Sequence, residues 1–254
     1  MPELKLAFLI NLDRRPDRWL EFNKHSSSLE IPIERFPAVD GHELTKFELR
    51  TPPPISACWM SHQDVAAKFL ESNAEFCLVF EDDLSLTEDS ISALNQLWHQ
   101  NFQNLDLLQI GFCVSQNQLS NRVIYGRQLC AVSLVTQLGL LSFSLTQRIL
   151  KGIYGYKISY LKGTKLCVAE NSFELGTHAY LISRKFAEKM ISFNRPVYLP
   201  ADLAMMELVK TGKFRSFRLI RSLINQSESP SSILNASANS LESRISALSV
   251  EISS

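Results

Sequence analysis

One segment constrains this chain more than any other: Cys77-Leu78-Val79-Phe80 runs straight into Glu81-Asp82-Asp83, after which Leu84 resumes the apolar character. The apolar part is too short for a surface helix, and residues Glu75 to Phe80 read as a buried strand. That strand delivers three carboxylates at its carboxyl end, where their mutual repulsion calls for a positive partner. Side chains alternate along extended chain, so Glu81 and Asp83 point one way and Asp82 the other. A divalent cation would relieve the repulsion, and hard carboxylate oxygens suit magnesium or manganese. Such an ion needs further ligands, which a nucleotide diphosphate can supply. Acids at a strand end also serve as a solvated turn or as a cap for the next helix, and this motif alone does not decide between the two.

The surrounding pattern sets the architecture. Leu4 to Leu12 reads as a buried strand and Asp13 to Arg18 as a polar turn, with Pro16 placed to open a helix bearing Trp19 and Phe22. Ile33 to Val39 is a second strand, ended by the turn pair Asp40-Gly41. After Pro52-Pro53-Pro54, apolar positions from Ile55 to Phe69 recur at helical spacing and fade near Ser72. Thr87-Glu88-Asp89 opens a helix through Trp98, and Leu105 to Phe112 is a further strand. Gly176 to Ser183 reads as a strand and Arg184 to Phe193 as a helix. Residues 115–172 support no assignment. Strands alternating with helices predict an α/β fold with a mostly parallel central sheet.

Composition narrows the function. Twenty-six basic residues balance twenty-six acidic ones, which argues against nucleic acid as the main partner. No apolar stretch is long enough to suggest a transmembrane helix, and the N-terminus lacks the pattern of a signal peptide. Five scattered cysteines without CxxC spacing read as reduced thiols, pointing to a cytoplasmic protein in which the sequons at Asn225 and Asn235 carry no meaning. Neither common glycine-rich phosphate loop is present. The basic run from Lys210 to Arg221 reads as a solvated face, or as peripheral contact with anionic lipid. The Ser-rich tail, residues 223–254, carries heptad-like Leu241, Ile245, Leu248 and Ile252, consistent with a short helix. Nothing in the sequence sets the oligomeric state.

Six segments, taken together and in order, carry a resemblance. They are FLINLDRRPDRW (Phe8 to Trp19), RFPAVDG (Arg35 to Gly41), CWMSH (Cys58 to His62), VFEDDL (Val79 to Leu84), GTHAYLIS (Gly176 to Ser183), and the Pro-x-Asp of Pro200 to Asp202. In these the chain resembles glycosyltransferase family 25, which includes bacterial lipooligosaccharide galactosyltransferases and collagen galactosyltransferases. The first hundred residues carry the likeness best and residues 176–203 moderately, whereas 115–172 hardly match. Ala57 stands where the family commonly has glycine.

The resemblance implies a GT-A-type, Rossmann-like α/β/α sandwich over residues 1–222, with a nucleotide-sugar half (1–112) and an acceptor half (113–222). It implies metal-dependent, inverting transfer of a sugar, galactose from UDP-galactose, to a glycan such as lipooligosaccharide, with Mn2+ or Mg2+ as cofactor. Asp83 is then the direct metal ligand, supported by Glu81, with His178 a further metal or phosphate contact. Asp82 would support the metal or bind ribose. Asn11, Arg14, Arg18, Asp40 and His62 fall where the donor nucleotide would lie. Asp202 is the first candidate for the base that an inverting displacement requires, and Glu174 the reserve. Each has a plainer reading: Asp202 as a helix cap, Asp40 as a turn former, the arginines as surface pairs, His62 as a core histidine and Cys58 as a small buried residue. Two rival functions remain: a non-catalytic family member that binds a glycan or protein, and a metal-dependent phosphohydrolase.

Overall fold

The computed structural model describes residues 5–44, 51–113, 157–161, 164 and 166–226. The predicted terminal helix and the middle segment 114–156 lie outside the described residues.

The N-terminal part folds as the pattern predicts. Strand β1 (Lys5–Asn11) leads into helix α1 (Pro16–His25), which starts at the proline whose missing N–H costs nothing there. Strand β2 (Ile33–Pro37) returns parallel to β1, with Ala7 opposite Ile33. Helix α2 (Pro53–Leu70) crosses to β3 (Phe76–Glu81), which lies parallel on the other side of β1. The chain thus reverses its direction of travel across the sheet at β1, and this opens a crevice beyond the carboxyl ends of β1 and β3.

The short β4 (Leu84–Ser85) precedes α3 (Glu88–Trp98). Thr87 caps that helix by accepting from the Ser90 backbone N–H while the Ser90 hydroxyl accepts from the Thr87 N–H, a reciprocal arrangement worth about 1 kcal/mol. Strand β5 (Leu107–Gly111) follows. Beyond the middle segment come β6 (Ile158–Tyr160), β7 (Cys167–Glu170), β8 (Ala179–Ser183), α4 (Arg184–Ser192), α5 (Ala201–Thr211), β9 (Ser216–Leu219) and β10 (Asn225–Gln226). Strand order in the large sheet is β2-β1-β3-β8-β5-β9-β7-β6, and β10 pairs separately with β4. Six of these eight strands run the same way; β7 and β8 are reversed. β8 is therefore an antiparallel insert at the centre of an otherwise parallel run.

Alternation along the strands fills two cores. Phe8, Ile10, Cys77, Val79, Tyr180 and Ile182 pack against Trp59 and Phe69 of α2, Phe186 of α4 and Met205 of α5. Leu9, Leu78, Phe80 and Leu181, on the opposite face, pack against Phe22 of α1 and Leu94 and Leu97 of α3. The result is the expected α/β/α sandwich. Each fully buried Leu, Val or Phe contributes roughly 1.5–3 kcal/mol, so the sheet centre is the rigid frame from which the site projects.

Two sequence expectations change. Residues 158–170, left unassigned, supply two short strands. The basic run is not one solvated face: β9 threads it through the sheet, Arg218 is buried, and Lys210, Lys213 and Arg215 are separated along β9 from Arg221. Among the described residues no helix is long and apolar enough to cross a membrane.

Candidate active site

The crevice at the carboxyl ends of β1 and β3 is lined by Leu12 and Arg14 after β1, Arg18 of α1, Ala38 and Val39 after β2, Cys58 and His62 of α2, and Glu81, Asp82 and Asp83 after β3. The predicted alternation of the three acids holds. Asp82 turns to one side, where its Oδ1 accepts from Arg18 NH1 at 2.8 Å and its Oδ2 from Asn11 Nδ2 at 2.7 Å. Asn11, fully buried, also donates to Arg15 O and accepts from Arg35 Nε at 2.7 Å. One acid of the three thus has its positive partner within the protein. Both of its oxygens are engaged, which places Asp82, Arg18 and Asn11 in a buried knot that holds the β1–α1 turn.

Glu81 and Asp83 turn to the other side, where Glu81 meets α2 and both acids face the loop before β8. Glu81 Oε1 lies 3.2 Å from His62 Nε2 and accepts from the Thr177 hydroxyl. His178 Nδ1 lies 3.7 Å from Asp83 Oδ1 and 3.9 Å from Glu81 Oε2. On its other edge His178 Nε2 sits 3.3 Å from Cys113 Sγ. His62 Nδ1 is 2.8 Å from the hydroxyl of the buried Tyr180.

These contacts shift the charges. Burial would raise the pKa of Glu81, but the hydrogen bond and charge of His62, the charge of His178 and the Thr177 hydroxyl outweigh it and hold the carboxyl at about 2. Burial would lower His178, but Cys113 and the carboxylates of Glu81 and Asp83 together raise it to about 9.

The loop that presents Thr177 and His178 is built from side chains of the central sheet. Gln109 of β5, fully buried, donates to Glu174 O at 2.8 Å and Gly176 O at 2.7 Å and accepts from Glu174 N at 2.8 Å. Its register partner on β9, Arg218, reaches the Glu174 carboxylate at 3.4 Å. Gly176 has φ +99°, and a Cβ there would stand 2.9 Å from Cys113 N, so only glycine makes this turn. Neither Gln109 nor Thr177 was singled out from sequence. The signal for the first was a lone amide inside the apolar strand LDLLQIGF.

The remaining candidates scatter. Arg14 pairs with Asp40 at 2.6 Å at the rim of the crevice, and Asp40 also accepts from His42 N. Asp202 lies in the first turn of α5, where a carboxylate suits the helix dipole, and Pro200 rather than Asp202 occupies the capping position. Its Oδ1 accepts from Leu203 N, and its charge acts on Cys58 together with those of Glu81 and Asp83. Glu174 is tied to Arg218, away from the crevice lining.

The donor set fits a hard divalent cation. Glu81, Asp83 and His178 each offer one ligand atom, all within 4.8 Å of one another. Ligands held about 2.1 Å from an octahedral ion stand roughly 3 to 4.2 Å apart, the range of the His178 separations. His178 Nδ1 is buried and makes no hydrogen bond among the described residues, although it faces two carboxylates.

An α/β/α protein with a crevice at the strand-order reversal has the architecture in which ligands bind beyond the carboxyl ends of the strands. A family model described as "Glycosyltransferase family 25 (LPS biosynthesis protein)" matches residues 5–205, and the chain belongs to glycosyltransferase family 25. It is 32% identical over 95 residues to a "Glycosyltransferase 25 family member" of Aedes aegypti, covering 30% of this chain and 16% of that protein. A protein of the same description from Anopheles gambiae is 28% identical over 106 residues (33% and 18%), and one from Drosophila melanogaster 28% over 130 residues (42% and 21%). The chain thus spans about a fifth or less of these relatives' length. Among solved structures it is similar to a glycosyltransferase involved in the glycosylation of the major capsid of PBCV-1, with TM-score 0.45 and 8% identity over 90% of this chain and 94% of that one.

Proposed function

We propose that this protein is a metal-dependent, inverting glycosyltransferase that transfers a sugar, galactose from UDP-galactose, to a glycan acceptor such as lipooligosaccharide. The observation that carries this reading is the convergence of Glu81, Asp83 and His178 beside a crevice that Glu81 and Asp83 line together with Arg14 and Arg18. Asp83, Glu81 and His178 would hold Mn2+ or Mg2+. When bound, the ion neutralises charge developing on the departing diphosphate.

The chain's own residues do the rest. His62 and Thr177 hold Glu81 ionised and oriented. Arg18 keeps Asp82 turned away, so its charge does not add to that of the ligand pair. The apolar wall of Ala38, Val39, Pro54 and Ala57 offers a dry surface for a flat nucleobase. Asp202, in the first turn of α5, takes the proton from the acceptor hydroxyl as that oxygen displaces UDP in line. The exposed Lys210, Lys213 and Arg215 are suited to an anionic acceptor or lipid surface.

Thermal-shift measurements with UDP-galactose and other nucleotide sugars, with and without Mn2+, test the reading on wild type and D83A. Stabilisation by UDP-galactose that requires Mn2+ and is lost in D83A is the expected result. A wild-type protein that no nucleotide sugar stabilises would overturn it.

A further inference from the structure

We propose that Cys58, His62 and Glu81 form a second metal site, one that takes a thiophilic divalent cation of the zinc class. Cys58 and His62 are four residues apart on α2 and so share one face of that helix. Glu81 reaches the same point from the end of β3. One ligand atom from each, the Cys58 sulfur, a ring nitrogen of His62 and a carboxylate oxygen of Glu81, lies within 4.8 Å of the others, and His62 Nε2 stands 3.2 Å from Glu81 Oε1.

Four features distinguish this set from the Asp83 side. First, its donors are sulfur, nitrogen and one oxygen, the combination that selects zinc over magnesium or manganese. Second, the Tyr180 hydroxyl stands 2.8 Å behind His62 Nδ1, the outer-shell partner that typically fixes a metal-binding imidazole. Third, all three residues line the same crevice, so three protein ligands would leave a fourth position open to water or a ligand. Fourth, Glu81 directs Oε1 here and Oε2 toward His178, so the two sites use different atoms of one carboxylate.

The charge balance is straightforward. Burial and the carboxylates of Glu81, Asp83 and Asp202 keep the Cys58 proton in place by pushing its pKa well up. The same negative field attracts a dication. On binding, the metal–sulfur bond replaces the S–H bond and one proton leaves to solvent. A proton on His62 Nε2 moves to Nδ1, where the Tyr180 oxygen accepts it, with no net change in charge.

Co2+ titration of the full chain under a non-thiol reductant tests the site without reference to transfer activity, so its outcome is separable from that of the transferase reading. A thiolate-to-cobalt charge-transfer band should saturate near one equivalent and be bleached by Zn2+. It should vanish in C58S and persist in D83A. It should also persist in C113S, which removes the thiol beside His178. H62Q should weaken Co2+ binding tenfold or more. Absence of the band in folded wild type would overturn the site, as would a band that survives C58S or is lost in C113S. Should C58S fail to fold by circular dichroism, H62Q decides: unchanged Co2+ affinity there rejects the proposal.

Discussion

The two ends of the large sheet are built on different rules. In β2-β1-β3 every pairing is parallel, and α1 and α2 cover opposite faces. Beyond β3, the run β8-β5-β9-β7-β6 mixes directions, and four of its five junctions, including that with β3, are antiparallel. The first region makes a crevice and places three acids at its floor. The second sends β8 back through the centre of the sheet, and this brings Thr177 and His178 to two of those acids. The crevice therefore follows from the parallel part alone, whereas the proposed metal-ligand set needs both.

Substitutions on either side of that seam sharpen the contrast. The largest effect is expected for D83N, which keeps shape but removes the ligand charge: transfer should fall on the order of 10³-fold, with Mn2+-dependent stabilisation lost. Steady-state kinetics and Mn2+ titration read both. R18M, wholly within the parallel region, should leave Asp82 buried beside Asn11 without its cation, costing about 3 kcal/mol in urea unfolding. T177V removes a hydroxyl that crosses the seam to Glu81. A 10- to 100-fold loss in metal affinity is expected, with only about 1 kcal/mol of stability. If T177V alters stability alone, the seam is structural and the contrast fails.

Proton linkage gives a smaller and independent test. In the metal-free protein His178 is held to about 9, against its ordinary value of 6.5. The folded chain therefore keeps a proton that the unfolded chain releases between these values. Its stabilisation is complete below about 6.5 and disappears as pH rises through about 9. Urea midpoints of wild type should fall across that window and those of H178Q should not. Least of all, R14A should shift stability by no more than about 0.5 kcal/mol, since its pair with Asp40 is half exposed, while raising KM for the nucleotide sugar.

The parallel region was legible because its signals are local. Apolar runs, Pro16, Pro53 and the Thr87 cap lie within the elements they define, and the observed bounds of α3 begin and end where the pattern placed them. The alternation that separates Asp82 from Glu81 and Asp83 is likewise a property of extended backbone. The antiparallel region resisted for equally physical reasons. β6 and β7 are three and four residues long, too short for a period to show. β9 hides in a basic run because its Arg218 is buried by pairing rather than by apolarity. Gln109 and Thr177 act through contacts 65 and 96 residues away, which no local pattern encodes. Asp82 could be read as a ligand until the partner that occupies it, Arg18, was seen beside it.

The position of β8 has a further consequence for how the protein comes into being. Phe76 of β3 pairs with Ser183, more than a hundred residues later in synthesis. When the first 112 residues have left the ribosome, β3 is still an open edge, and Glu81 and Asp83 have met neither Thr177 nor His178. A nascent chain can thus shape its crevice early, but it assembles the full ligand set only after the reversed strand has docked. Capture of the proposed ion is then a late event in the life of each molecule, timed by topology.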